Sequence, residues 1–179
     1  IDQLVKSAVL FKNAYVPLPA TSASHASMLT GLHPLQHNVR ANGTPLDDSI
    51  ETIAEKFKDA GYHTVGAISV SHLTGEFGFA QGFDNFSDTW NENSGGSGEW
   101  ERDAEKTTDI TIKMIDDYIN HSDDLPLFLF MHYFDPHAPY LKRTDLIPDE
   151  KKIRKYVNDF ERENIDNYDS EIRFVDTQI

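Results

Sequence analysis

Hydrophobic and polar positions along this 179-residue chain change period several times, and the changes mark the elements. In residues 48–61, Ile50, Ile53, Ala54, Phe57 and Ala60 keep the i, i+3, i+4, i+7 stripe of a helix behind Asp48 and Glu51, and Gly61 stops it. Residues 62–70 (Tyr62-His63-Thr64-Val65-Gly66-Ala67-Ile68-Ser69-Val70) then have the β-branched and apolar content of a buried strand. A second helix is predicted over 101–121, with Ile112, Ile115 and Ile119 on one side beside Met114 and Tyr118. The unbroken apolar run at 127–134 predicts a central strand buried on both faces, as parallel sheets require. Residues 8–16 also have strand composition, residues 1–6 read as the tail of a helix, and residues 169–179 read as the start of one.

Helix, Gly, then strand predicts an α/β fold, a mostly parallel sheet with flanking helices. The joins are polar or Gly/Pro-rich. Residues 32–44 form a loop around Pro34 and Asn42-Gly43, and residues 71–88 form a packed surface loop dense in Gly and aromatics. Residues 90–99, centred on Asn-Ser-Gly-Gly-Ser-Gly, have the composition of a mobile loop. Residues 135–140, stiffened by Pro136 and Pro139, make a turn at the carboxyl end of the last strand, the edge where open α/β sheets place their ligands.

Composition fits one soluble domain, at 39% hydrophobic and 26% charged. A formal charge of −14 argues against nucleic acid as a partner, because phosphate backbones are bound through an excess of Lys and Arg. No apolar run approaches the ~18–20 residues that span a bilayer. With no Cys there is neither a disulfide framework nor a thiolate metal site. Nothing in the sequence fixes localisation or oligomeric state.

Candidate chemistry concentrates in residues 21–31, where small hydroxyl residues lead into Met28-Leu29 and end at Gly31, the pattern of a short helix with Thr21 just ahead of its N-terminus. Unpaired amides and the positive end of the helix dipole favour an anion there, and His25 is four residues on. A Ser/Thr-rich cap on an ordinary helix uses the same residue types. His37 in the following loop and His137 in the proline turn after the last strand are further candidates for contacting substrate, although a solvated or structural His is as ordinary at such places. An unactivated Thr hydroxyl is a poor nucleophile, and no base-and-orienter pattern is visible around Thr21, so a metal is the sensible activator.

The segment from Thr21 to Leu29-Thr30-Gly31 resembles the signature of the sulfatases and the wider alkaline-phosphatase superfamily, with Thr21 at the nucleophile position and His25 where the strict pattern has Arg. It is similar to a sulfatase-like branch with Thr first and Ser-His in the middle, and the usual Pro is here Ala23. Gly82-Phe83-Asp84 resembles the loop after the corresponding family strand, whereas the Gly-Lys-Trp-His run of many true sulfatases is replaced by Ile68-Ser69-Val70-Ser71-His72, without the Lys. Pro136-His137-Ala138-Pro139 resembles the family segment whose His binds the anionic group of the ester, and His132 matches an additional His of the same branch. The resemblance covers residues 1–179 as an internal part of one catalytic domain.

The resemblance implies hydrolysis of a small sulfate, phosphate or phosphonate ester through a Thr21 alkoxide bound to a divalent cation (calcium, magnesium, manganese or zinc). His25 would hold a nonbridging oxygen or protonate the leaving group, His137 would stabilise the developing charge, and His132, His37 and His72 would line the substrate. Formylglycine is not expected, since Thr carries a methyl on Cβ and oxidation would yield a ketone. An Asp pair before Ile1 and an Asp-His pair after Ile179 would complete the metal site, so residues 1–179 alone are expected to be inactive. A phosphoryl transferase of the same superfamily, or a binding module that retains only the fold, would share these features.

Overall fold

A computed structural model describes residues 1–89, 96, 100–121, 124–147 and 158–179. Three parallel strands form a sheet of order β2-β1-β3, with β1 at His63–Ala67, β2 at Asn85–Ser87 and β3 at Leu127–Met131. The register pairs Val65 with Asn85 on one side of β1 and with Leu129 on the other. Six α-helices are described: α1 (Asp2–Val5), α2 (Thr21–Thr30), α3 (Pro34–His37), α4 (Ile53–Asp59), α5 (Ala104–His121) and α6 (Asp159–Gln178).

Alternation along β3 assigns its two faces. Phe128 stacks on Phe57 of α4 at 4.4 Å, Phe130 meets His25 of α2 edge-on at 6.4 Å, and His132 continues that face. On the opposite face the Tyr133 hydroxyl hydrogen-bonds Thr108 of α5 at 2.7 Å, and His63 of β1 stacks on Tyr118 of α5. Helices therefore cover both faces, the α/β arrangement expected. Gly66 permits the close approach of β2, because a Cβ there would lie 2.5 Å from the Phe86 ring. A core of Ala23, Ala26, Leu29, Val39, Leu46, Ile68, Val70, Leu73 and Phe79 joins α2 to the carboxyl end of β1.

Several expectations are corrected. β1, not β3, is the central strand among the described residues, and β3 is half-buried along its whole length. Residues 8–16 form no strand. A strand needs a backbone partner, and this segment lies open, with Val9 80% and Phe11 78% exposed. The Gly-rich loop at 71–88 contains β2, whose three residues were too few to show a period.

The helix expected over 48–61 starts at Ile53, because Thr52 and Glu55 form a capping box while Asp47 turns the preceding residues by accepting from the Ser49 amide. α5 starts at Ala104 and buries Ala104, Thr107 and Thr111, leaving Ile112 and Ile119 exposed. α6 starts ten residues before 169, capped by Asn158 with Glu161. Part of the expected loop at 32–44 is α3, in which His33 and Gln36 form a capping box. The low-complexity stretch at 90–99, Gly96 apart, lies outside the described residues.

Past the end of the sheet, Arg102 is 1% exposed. Its Nη2 donates to the Ile68 carbonyl at 2.6 Å, its Nη1 to Ser87 Oγ at 3.0 Å and its Nε to Thr107 Oγ1 at 3.3 Å, while its amide donates to the Ser69 carbonyl at 3.0 Å. One side chain thus joins β1, β2 and α5. Replacing Arg102 with Met should destabilise the fold by roughly 3–5 kcal/mol, because buried acceptors and the nearby carboxylates of Asp88 and Asp103 lose their partner. Arg102→Lys should recover little of this, lacking the forked donors, and urea unfolding of the three proteins reads the difference.

Candidate active site

α2 begins at Thr21, with Ala20 as its N-cap, so Thr21 is the first helical residue and not, as expected from sequence, the residue ahead of the helix. The far end closes as predicted, with Gly31 in the left-handed region at φ 71°. Ser22 anchors the start of the helix. Its amide donates to Asn42 Oδ1 at 3.0 Å, and its hydroxyl donates to the His72 carbonyl at 3.0 Å. Thr21 is thereby held where the chain leaves β1, and among the described residues no hydrogen bond engages its hydroxyl.

Four of the six candidate positions converge through a chain of rings. His25 and His132 lie 4.9 Å apart edge to face, His132 and Phe134 6.2 Å apart, and Phe134 stacks on His137 at 4.2 Å. Trp100 meets Phe134, His137 and His72 edge-on. With Thr21 at the head of α2, the group sits at the carboxyl ends of β1 and β3. Sequence reasoning missed Trp100, Phe134 and Ser69, which pack the imidazoles or bond to them; their one signal was position, just before α5 or just past a strand.

The sixth candidate, His37, is not brought to this group by any of these contacts. It is 1% exposed, and both ring nitrogens are engaged, Nε2 with Ser27 Oγ at 2.9 Å and Nδ1 as acceptor of the Val39 amide at 3.1 Å. That pattern ties the α3 turn to α2, and leaves no ring nitrogen for substrate.

Hydrogen bonding fixes the tautomers of His25, His132 and His137, because a carbonyl oxygen can only accept. His25 Nδ1 donates to the Thr21 carbonyl at 2.8 Å, and His137 Nδ1 donates to the Ala138 carbonyl at 2.7 Å. At His132 the Ser69 hydroxyl gives its one proton to the His132 carbonyl at 2.9 Å, so Nδ1 is the donor to Ser69 Oγ at 3.2 Å. In that tautomer each of the three rings presents Nε2 as an acceptor.

Burial lowers the pKa of His25, partly offset by its bond to the Thr21 carbonyl, and burial with the nearby His25 pushes His132 down to about 3. Both are neutral at pH 7 before an anion arrives. Holding a nonbridging oxygen or protonating a leaving group through Nε2 therefore requires proton uptake at His25, which a bound anion would favour.

Among the described residues no group of three or more His, Cys, Asp or Glu could hold a metal ion, so no ready ligand set stands beside Thr21 there. The two strongly perturbed carboxyls fasten the chain on either side of His137. Burial raises Asp135 to about 6 and Glu171 to about 7.

The family model described as Sulfatase matches residues 1–179. A Delta 4,5-hexuronate-2-O-sulfatase of Bacteroides thetaiotaomicron is 36% identical over 70 residues, 36% of this chain and 15% of that protein. Human N-sulphoglucosamine sulphohydrolase is 27% identical over 144 residues, 76% of this chain and 26% of that protein. The chain thus spans about a quarter or less of these curated relatives. A solved Bacteroides thetaiotaomicron structure, from work on the metabolism of multiple glycosaminoglycans, superposes with a TM-score of 0.75 at 18% identity, covering 99% of this chain and 48% of that one.

Two outcomes are expected in solution. In nitrogen-15 NMR titrations His132 should stay neutral as the Nδ1–H tautomer down to about pH 3, and His25 should protonate below the ordinary imidazole range; a His132 titration near pH 6.5 would refute the burial argument. For Glu171, whose carboxyl is raised in the fold, the stabilising share is full below pH 4.5 and is lost as pH rises through about 7. Glu171→Gln should therefore gain stability relative to the native protein across that window, by roughly 1–3 kcal/mol at ~1.4 kcal/mol per pKa unit, measured by urea unfolding at stepped pH.

Proposed function

This chain belongs to the sulfatase family, and from that premise we propose that its parent protein hydrolyses an anionic ester, a sulfate or a phosphate or phosphonate, with the Thr21 hydroxyl as nucleophile. The observation that carries the reading is the position of Thr21 as first residue of α2, its hydroxyl free among the described residues and His25, His132 and His137 grouped at the same sheet edge. A helix N-terminus carries about half a positive charge and favours an oxyanion beside it. In-line attack forms a bond from Thr21 Oγ1 to sulfur or phosphorus as the hydroxyl gives up its proton, and breaks the bond to the ester oxygen, which leaves with its electron pair and takes up a proton. Water then cleaves the Thr ester and restores the hydroxyl. A divalent cation, calcium, magnesium, manganese or zinc, would be held in part by the Thr21 hydroxyl and would supply positive charge that lowers the cost of deprotonating it.

Two features weight the substrate class differently. The names of the hexuronate and glucosamine sulfatases make a sulfated sugar the first substrate to try. Thr21 cannot form the aldehyde hydrate, and no Lys follows Val70, so a phosphate or phosphonate ester stands beside it as a second reading.

In the full-length protein Thr21→Ala should lower turnover by several decades without unfolding the domain, and Thr21→Ser should keep part of the activity because it keeps the hydroxyl. Chelation should abolish turnover, and adding back one of the four cations should restore it. A panel of 4-nitrophenyl sulfate, phosphate, bis-phosphate and phenylphosphonate, with sulfated glucosamine and hexuronate sugars, assigns the class. Equal rates for the native enzyme and Thr21→Ala on every substrate turned over would refute Thr21 as nucleophile.

A further inference from the structure

We propose that Glu171 of α6 is a positioning residue for His137, acting with Asp135 to clamp the turn that carries it; this rests on the reading above for the role of His137. The turn leaves β3 and is fastened on both sides of His137 by buried acidic side chains. On the near side, the Asp135 side chain is 2% exposed, and its Oδ1 accepts the Ala104 amide at 3.0 Å, fixing the turn to the first residue of α5. On the far side, Glu171 is 2% exposed, and its Oε1 accepts the Leu141 amide at 3.1 Å. Neighbouring contacts follow the same face of α6: Ser170 Oγ accepts the Arg143 amide at 3.3 Å, the Arg143 guanidinium lies 3.9 Å over the Phe174 ring, and Tyr168 meets Tyr140 edge to face.

Arg143 Nη2 reaches back to Asp135 Oδ1 at 3.5 Å, closing the loop on itself. His137 is exposed, and among the described residues its ring is held by Phe134, Trp100 and the Ala138 carbonyl, so its placement depends on the backbone between these anchors.

Asp135 Oδ2 and Glu171 Oε2 are both buried without a hydrogen-bond partner among the described residues, and both side chains line one small cavity with Arg143 and Phe134. Burying two carboxyls that leave oxygens unpaired is costly for a fold, so a plain stabilising role would be served better by apolar residues. What the carboxyls supply is directional acceptance of specific amides. Glu171 accomplishes this without touching substrate.

The test uses the full-length protein with Glu171→Ala, Glu171→Gln, His137→Ala and the double variant Glu171→Ala/His137→Ala. Glu171→Gln keeps an acceptor for the Leu141 amide, and it should retain activity within about threefold. Glu171→Ala should lower kcat at least tenfold with KM changed less, and in the double variant it should add nothing to the loss caused by His137→Ala. Amide hydrogen exchange at Leu141 should quicken in Glu171→Ala and stay near native in Glu171→Gln, whatever the activity.

Multiplicative losses in the double variant, or unchanged Leu141 exchange in Glu171→Ala, would overturn the proposal. Full activity in His137→Ala would overturn both the functional role of His137 and the clamp's catalytic purpose, whereas a lost double-variant coupling beside a damaging His137→Ala would overturn the clamp alone.

Discussion

The arrangement at the sheet's carboxyl edge depends on one buried guanidinium. Parallel strands end with carbonyls that no further residue of the ladder satisfies, and a buried unpaired carbonyl costs about as much as a lost hydrogen bond. Arg102 answers this at β1 and β2 together, through the Ile68 carbonyl and both the hydroxyl and the carbonyl of Ser87, and its own amide covers the Ser69 carbonyl. Because Ser69 then bonds to His132 and the next residues reach the His72 carbonyl, the same constraint sets where α2 starts. Burial pushes the Arg102 pKa down, Asp88 and Asp103 hold it up, and an Arg remains charged under such a shift where a Lys would be far more easily neutralised.

What the sequence made legible follows from how local each signal is. The stop at Gly31, the strand at 63–67 and the strand at 127–131 rest on positive φ or on short apolar runs, and each was found within a few residues. α5 showed its existence but not its buried face, because the residues it hides are Ala104, Thr107 and Thr111. Those three are small enough to pack close to the sheet, whereas hydrophobicity alone favours Ile112 and Ile119. Residues 8–16 misled for the complementary reason, since β-branched and aromatic content describes fitness for a sheet and cannot supply the partner strand.

The candidate site was legible as residue types, and its geometry was not. Thr21, His25, His132, His137 and His72 come from segments up to more than a hundred residues apart, and only the order β2-β1-β3 brings their strand ends together. His37 looked equivalent to them in sequence, yet its two nitrogens are spent on Ser27 and Val39, a use that no local pattern announces. Arg102 was invisible for the same reason, because a lone Arg before a helix reads as surface until the carbonyls it covers are placed around it.

Electrostatics then limits how this edge can receive an anion. His25 and His132 are neutral at pH 7, Arg102 is committed to strand-end carbonyls and Arg143 to the α6 face, and the chain as a whole carries a formal charge of −14. Among the described residues, the fixed positive potential at Thr21 is therefore the end of the α2 dipole, about half a charge, while a sulfate monoester brings one negative charge and a phosphate monoester nearly two. In the proposed reaction the shortfall would be made up on binding, by proton uptake at His25 or by an accompanying cation. Proton uptake works against the burial that lowered both His pKa values, so it recovers part of the anion's attraction at the expense of desolvating an imidazolium. Cation binding carries no such opposition, and a dianion gains more from it than a monoanion does. Under the proposed function, the buried and neutral His25 and His132 thus weight recognition toward shape and hydrogen bonding, with net charge supplied from outside that pair.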